Sequence, residues 1–115
     1  MAHFSGTTAE FTRYIGPFVR NLVQNLTRPY KEQVGACENQ ECQVIGKLDF
    51  AHITGKERPV LINKALEGFV NNGVVEVNLE VFGERLKQLH FPFKDTGLVL
   101  CKICHKKYDK KELFF

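Results

Sequence analysis

The chain has 115 residues, the length of one small domain. Of these residues 43% are hydrophobic, and ten are phenylalanine. This composition excludes an intrinsically disordered protein. The formal net charge is only +3, and no stretch approaches the roughly eighteen consecutive apolar residues of a membrane span. The first residues lack the charged-then-apolar order of a signal peptide, so we expect a cytoplasmic protein without a membrane partner.

The first 34 residues predict helical structure. Thr7 and Glu10 have the spacing of a capping box, and an apolar stripe follows them at helical spacing. Because Gly16-Pro17 interrupts this stripe before it continues to Arg28-Pro29, we expect two short helices or one kinked helix. The stripe is typical of core packing; a homodimer contact is the alternative.

The middle of the chain alternates between loop and regular structure. Residues 35–43 read as a loop, and residues 44–45 and 48–53 as extended structure that ends at Thr54-Gly55. Residues 61–70 have helical spacing and stop at residues 71–73, whose Asn-Asn-Gly sequence is typical of a helix C-terminus.

The last third predicts a strand and two helices. Residues 74–77 favour a short extended segment, Asn78 can cap a following helix, and Pro92 prevents that helix from continuing. Residues 98–100 form a compact apolar run, and residues 102–113 favour a basic helix. From Arg85 onward the chain has eight Lys or Arg against three Asp or Glu, which suits a polyanionic partner, although a solvated lysine-rich helix is equally open.

The four cysteines form two close pairs, Cys37-x4-Cys42 and Cys101-x2-Cys104. Short loops of this kind let two thiolates reach one ion, so the pairs predict a tetrahedral zinc site; four unrelated buried thiols are the alternative. Four thiolates fill the tetrahedron, which makes the expected zinc structural. It would tie the start of the extended segment at 48–53 to the end of the one at 98–100.

Three pieces of the sequence, CENQEC, LDFAHI and LVLCKICHKKYD, contain these pairs and the histidines His52 and His105. In this order they resemble the zinc-containing branch of the HNH, or ββα-metal, nuclease family, over Cys37 to about Asp109. The resemblance implies an α+β fold with a ββα-metal core stapled by the four-cysteine zinc site. An N-terminal helical segment (1–34) would precede the nuclease module (35–115), which carries a helical insertion at about 58–90, all in one compact domain.

The resemblance also implies the catalytic roles. His52 would be the general base, and His105 a ligand of a catalytic Mg²⁺ or Mn²⁺. Many members of the family have His or Asp directly before the base, where this chain has Ala51. Since strands alternate faces with period two, Asp49 points to the same side as Ala51 and is the candidate for that ligand.

Each of these residues has an alternative interpretation. His52 could be a core histidine, Asp49 a turn or salt-bridge residue, and His105 a competing zinc ligand. His3 and His90 are interpreted as surface or packing residues.

The asparagine that gives the motif its middle letter is missing. Residues 94–97 occupy its place, and we expect Asp95 or Thr96 to orient the loop instead. Asn78 could also replace the missing asparagine, although it lies farther from the second cysteine pair in the sequence.

The predicted function is therefore metal-dependent hydrolysis of DNA phosphodiester bonds, with RNA not excluded, in restriction or phage-related defence. Two alternatives remain: a non-catalytic zinc-ribbon-like module that binds nucleic acid, and an oligomerisation or adaptor domain. The candidate phosphate contacts are basic residues close to His52 and His105: Lys56, Arg58, Lys102, Lys106 and Lys107.

Overall fold

The structure, a computed structural model, describes residues 2–112 and has the α+β class predicted from the sequence. Its elements in chain order are β1 (His3–Thr7), α1 (Thr8–Val34), β2 (Leu48–His52), α2 (Arg58–Ala65), β3 (Val70–Asn71), β4 (Val74–Asn78), α3 (Leu79–Leu89), α4 (Phe93–Thr96), β5 (Gly97–Cys101) and α5 (Lys102–Asp109).

Helix α1 begins at the predicted capping box. The Thr7 hydroxyl accepts a hydrogen bond from the Glu10 amide at 3.1 Å, and the Thr7 amide donates to the Glu10 carboxylate at 2.9 Å. The helix ends at Gly35, which has a left-handed φ of 76°. Pro17 and Pro29 both lie inside it, so the prediction of two short helices is wrong.

The buried face of α1 explains why it stays continuous. A proline removes one backbone hydrogen bond, whereas the apolar stripe packs along the whole helix. Four residues of the stripe are buried in the core, which confirms the core-packing interpretation: Phe11, Ile15, Val19 and Val23. Tyr14 and Phe18 remain exposed, and the homodimer stays a prediction. Among residues 2–112 no helix has the length and apolar character needed to cross a bilayer.

A three-stranded antiparallel sheet with the order β1-β4-β3 packs with α1. Two of its strands correct the sequence analysis. Strand β1 lies in the segment 1–34 that was predicted to be helical, and β3 lies where the helix at 61–70 was expected to end. Asn72 and Gly73 join β3 to β4, both with positive φ, and an Asn-Gly pair favours the tight turn of a hairpin. The segment at 58–90 is therefore not purely helical.

The N-terminal segment and this insertion share one hydrophobic core. Edge-to-face contacts run from Phe4 to Phe11 and from Phe11 to Phe82, each with ring centroids 5.1 Å apart. Residues of α2, β4 and α3 complete the cluster: Leu61, Ala65, Val75, Val77 and Leu86. In the sequence the N-terminal segment precedes the first cysteine pair and β2, and the insertion follows them. In the fold these two segments thus pack against each other.

Strands β2 and β5 form a separate two-stranded antiparallel sheet. Leu48 pairs with Cys101 and His52 with Gly97, and α5 follows β5 directly. Residues 44–45, predicted as extended, lie outside the strand. Helix α5 ends at Asp109, and the predicted helical end at Leu113 lies outside the described residues. Residues 53–96 lie between β2 and β5 in the chain, but in space the two strands and α5 are neighbours, with Cys101 at one end of the sheet and His52 at the other; β2, β5 and α5 are called the ββα unit below.

Gly97 is predicted to be essential to this sheet. A Cβ at this position would lie 2.5 Å from two carbons of the Phe50 ring and 2.8 Å from the Ala51 carbonyl oxygen. Gly97→Ala should therefore lower the free energy of unfolding by about 1–3 kcal/mol, the usual cost of overpacking.

Gly83→Ala is the matched control. Its Cβ would lie 3.3 Å from the flexible end of Leu22 and 3.8 Å from the Phe18 ring, which is ordinary contact distance, and alanine also favours the helix. Urea unfolding followed by circular dichroism measures both variants. An equal or larger loss for Gly83→Ala would contradict the packing assigned to Gly97.

Candidate functional site

The four cysteine sulfurs come together at the end of the β2–β5 sheet. All four Sγ atoms lie within 4.8 Å of one another, with Cys42 exposed and the other three buried. Sγ of Cys42 is 3.8 Å from Sγ of Cys101. Zinc–sulfur bonds of about 2.3 Å in a tetrahedron place sulfurs about 3.8 Å apart, so the cluster could hold a metal ion such as zinc.

Local backbone structure builds both halves of the cluster. In the first loop the amides of Cys42 and Gln43 donate to the Asn39 carbonyl, at 2.9 and 3.0 Å, and the Asn39 side chain donates to Sγ of Cys104 at 3.4 Å. In the second, Cys101 caps α5 and its Sγ accepts the amide of Cys104 at 3.4 Å. This hydrogen bond is the largest of several that lower the pKa of Cys101 to about 7, which favours the thiolate that binds metal. The Asn39 hydrogen bond lowers the pKa of Cys104, but burial and the other three thiols outweigh it and raise that pKa to about 12, so the pKa values of the two neighbouring thiols shift in opposite directions.

Asp49 and His105, both predicted from the resemblance to be cation ligands, lie side by side; the ion pairs of Asp49 are also those of the salt-bridge alternative, and its role as a ligand stays a prediction. Nδ1 of His105 lies 3.0 Å from one carboxylate oxygen of Asp49, and Nζ of Lys102 lies 3.1 Å from the other. Burial alone would raise the pKa of Asp49, but the hydrogen bonds from His105 and Lys102 outweigh it and lower that pKa. Asp49 is thus a carboxylate at neutral pH.

Asp109 joins this group and was missed by the sequence analysis. Its carboxylate lies 3.4 Å from Nε2 of His105, one helical turn earlier in α5. The i, i+4 spacing from His105 was the available signal. Two carboxylates and an imidazole are suitable donors for Mg²⁺ or Mn²⁺.

The ligand atoms of Asp49, His105 and Asp109 do not converge on one position where a cation could bind all three. Both ring nitrogens of His105 face carboxylates, one of Asp49 and one of Asp109. Within residues 2–112, the cysteine cluster is the one set of three or more possible ligands whose atoms all lie within 4.8 Å of one another. A cation bound by His105 would have to replace one of its two carboxylate contacts.

His52 lies on the opposite face of β2. Its ring packs edge-on against Phe50, with centroids 5.2 Å apart, whereas Asp49 faces α5. Among the described residues no hydrogen bond joins His52 to Asp49 or His105; its Nε2 lies instead 3.0 Å from Nε2 of His90. The structure therefore brings together two of the three predicted catalytic residues and pairs the third with another histidine.

His90 was interpreted from the sequence as a surface or packing residue, and the surface alternative is wrong. Its side chain is fully buried, and its Nδ1 lies 2.7 Å from the Leu86 carbonyl oxygen. No local signal could have linked it to His52, which is 38 residues earlier in the chain.

The His52 imidazole is uncharged at neutral pH. Burial lowers its pKa to about 4, and His90, Arg58 and His105 shift it in the same direction. Burial also lowers the pKa of His90. A neutral imidazole has the free lone pair that a general base requires, but a pKa of about 4 makes it a weaker proton acceptor than an ordinary histidine, whose pKa lies closer to neutral pH.

The predicted phosphate contacts have different surroundings. Lys106 and Lys107 are exposed on α5, and Arg58 begins α2 close enough to His52 to affect its pKa. Lys56 is partly buried beyond β2. Lys102 is exposed but forms an ion pair with Asp49, so its charge stabilises that carboxylate before it can contact a phosphate.

Thr96 is one of the two residues that were expected to orient the loop before β5. Its buried hydroxyl donates to the carbonyl oxygens of His90 and Pro92, at 3.0 and 3.1 Å, and its own carbonyl accepts the Ile53 amide. Asn78 caps α3 instead. The loop before β5 is therefore held by Thr96.

Comparison with protein-family models, curated proteins and solved structures finds no match for this chain.

One zinc ion should bind per chain. Cys37→Ser should lower the metal content and the melting temperature, because it removes one of four ligands and leaves the buried cluster incomplete. Glu41→Ser, in the same loop but outside the cluster, is the control and should keep both values. The measurements are elemental analysis of protein purified without metal columns, and thermal unfolding. Undiminished metal content in Cys37→Ser would contradict the site.

The depressed pKa of His52 makes stability dependent on pH. The unfolded histidine titrates near 6.5 and the folded one at about 4, so acid favours the unfolded state. The stabilisation is complete above about pH 6.5 and is lost as the pH falls from there through about 4. His52→Gln should flatten this part of the stability curve, as measured by urea unfolding at several pH values. A curve as steep as that of the unsubstituted protein would show that His52 titrates normally.

Proposed function

We propose that the chain is a metal-dependent endonuclease of the HNH type that hydrolyses DNA phosphodiester bonds. The observation that carries this proposal is the ββα unit formed by β2, β5 and α5. It puts the carboxylate of Asp49 beside the imidazole of His105 and leaves a neutral imidazole, His52, at the far end of the first strand. This combination supplies both a base and cation ligands.

The cysteine cluster is proposed to hold structural zinc. A two-stranded sheet is marginally stable alone, and the cluster links its Cys101 end to the loop that precedes β2. Four sulfur ligands leave no coordination position for water, so this ion would support the nuclease unit without taking part in the reaction.

Hydrolysis of a phosphodiester requires removal of a proton from the attacking water. His52 is assigned this role because its imidazole is neutral and partly exposed. Asp49 and His105, with Asp109 within reach of His105, are assigned to hold a divalent cation. Such a cation, Mg²⁺ or Mn²⁺, would neutralise charge on the phosphoryl group and the leaving oxygen.

Although His52 and His105 lie against opposite faces of β2, they are electrostatically coupled. The charge of His105 contributes to the lowered pKa of His52. His52 lies three positions after Asp49 on β2, a distance of about 10 Å along the strand. A nucleic-acid backbone could therefore contact both.

The polyanionic partner follows from the exposed basic residues. Lys106 and Lys107 lie on the same helix as His105, and Arg58 lies near His52. Contacts of this kind bind phosphates without reading bases. They support a nucleic acid as the partner and do not distinguish DNA from RNA.

A non-catalytic module that binds nucleic acid is the second candidate. It is favoured by one observation, that the cysteine cluster is closed while both nitrogens of His105 face carboxylates. Such a module would have the same zinc and the same basic surface but would not cut.

Cleavage of plasmid DNA with Mg²⁺ or Mn²⁺ distinguishes the two. His52→Ala should reduce the rate on the order of a hundred- to ten-thousand-fold, the usual contribution of a general base, with zinc content and DNA binding retained. His105→Ala should also slow cleavage, and a higher Mn²⁺ concentration should restore it in part.

His3→Ala is the matched control, because His3 is exposed on β1. It should cut like the unsubstituted protein. Absence of metal-dependent cleavage by the unsubstituted protein would favour the binding module, and a His52→Ala variant that cuts at the full rate would remove His52 from the reaction.

A further inference from the structure

We propose that His90 is a positioning residue that fixes the tautomer of His52, so that Nδ1 of His52 is the atom that accepts the proton. This proposal rests on the proposed role of His52 as a base. It assigns the reacting atom and gives a purpose to part of the insertion between His52 and the second cysteine pair.

The hydrogen bond of His90 to its own helix determines its protonation. Nδ1 of His90 lies 2.7 Å from the Leu86 carbonyl oxygen, and a carbonyl can only accept, so Nδ1 carries the hydrogen. The side chain is fully buried, and burial disfavours its charged form. A neutral His90 with its hydrogen on Nδ1 has a lone pair on Nε2.

That lone pair determines the protonation of His52. The two Nε2 atoms are 3.0 Å apart, so Nε2 of His52 must donate to Nε2 of His90. The opposite tautomer of His52 would place two lone pairs against each other at the same distance. Neutral His52 therefore carries its hydrogen on Nε2 and a lone pair on Nδ1.

The Nδ1 atom of His52 is accessible to water. Among the described residues it has no hydrogen-bond partner, and no side-chain nitrogen or oxygen there is both buried and unpartnered. Nδ1 consequently lies where water can reach it. An attacking water can occupy this position, as a general base requires.

His90 is itself held rigidly in place. It caps the C-terminus of α3, its carbonyl accepts the Thr96 hydroxyl at 3.0 Å, and its ring packs near Phe50. The unit built from the N-terminal segment and the insertion thus supplies the side chain that orients a residue of the ββα unit. This arrangement follows the general logic of a base oriented by a second group.

The tautomer can be measured without any assay of activity. In protein labelled with ¹⁵N-histidine, two-bond ¹H–¹⁵N correlations at pH 7 distinguish the two tautomers, and His52→Ala assigns the signals. The unsubstituted protein should show His52 with hydrogen on Nε2 and His90 with hydrogen on Nδ1. His52 with hydrogen on Nδ1 would overturn the proposal.

Two substitutions of His90 test the positioning role. His90→Leu removes the acceptor, so His52 should populate both tautomers and its ring should lose its fixed orientation. Because half or more of the molecules would still carry the hydrogen on Nε2, kcat should fall only about two- to tenfold at an unchanged KM, far less than in His52→Ala. In His90→Gln the amide oxygen can take the place of Nε2 as acceptor, so the tautomer and most of the rate should be retained. A merely structural His90 would not separate the two variants in this way.

The outcomes remain distinguishable from those of the proposed function. A protein that never cuts DNA but shows the stated tautomers would refute the nuclease and retain the histidine arrangement. If His90→Leu does not fold, the unsubstituted protein and His90→Gln decide the question. If His90→Leu binds one metal ion fewer per chain than the unsubstituted protein, His52 and His90 form a metal site and the proposal fails.

Discussion

The antiparallel pairing of β2 with β5 is the contact on which both candidate sites depend. Leu48 and Cys101 lie opposite each other at one end, and His52 and Gly97 at the other. Because a long stretch of chain, residues 53–96, lies between the two strands, closing this loop costs conformational entropy that two short strands recover only in part. The pairing therefore needs support from outside the sheet.

That support comes from several directions. Glu38 covers the outer edge of β5, where its backbone amide donates to the Val99 carbonyl and its carboxylate accepts the Val99 amide. On one face Tyr30 of α1 packs with Phe50 and Phe93. On the other face α5 covers a small core that contains Ala51. A metal ion in the cysteine cluster would stabilise the Cys101 end of the sheet, because its bonds to the four sulfurs would hold the first cysteine loop to β5 and α5.

The ββα unit and the rest of the chain are mechanically linked at the histidine pair. His90 ends α3 and belongs to the unit whose core is centred on Phe82, whereas His52 ends β2. A change in the packing of the larger unit would therefore reach the candidate base through this hydrogen bond, and also through the contact of Tyr30 with Phe50 and the hydrogen bond between the Ile53 amide and the Thr96 carbonyl. Asp49 and His105, by contrast, are positioned by β2 and α5. The candidate base and the candidate cation ligands are therefore held in place by different parts of the fold.

The sequence by itself determined the features that depend on near neighbours. The cysteine spacings, the capping box at Thr7, the Asn78 cap and the face shared by Asp49 and Ala51 are all local, because chelating loops, caps and strand alternation act over a few residues. Tertiary structure alone decided the rest. Strand β1 forms because β4 offers it a partner, α1 passes through two prolines because its face is buried, and His90 meets His52 across 38 residues. Each of these depends on contacts between distant segments, which local patterns do not encode.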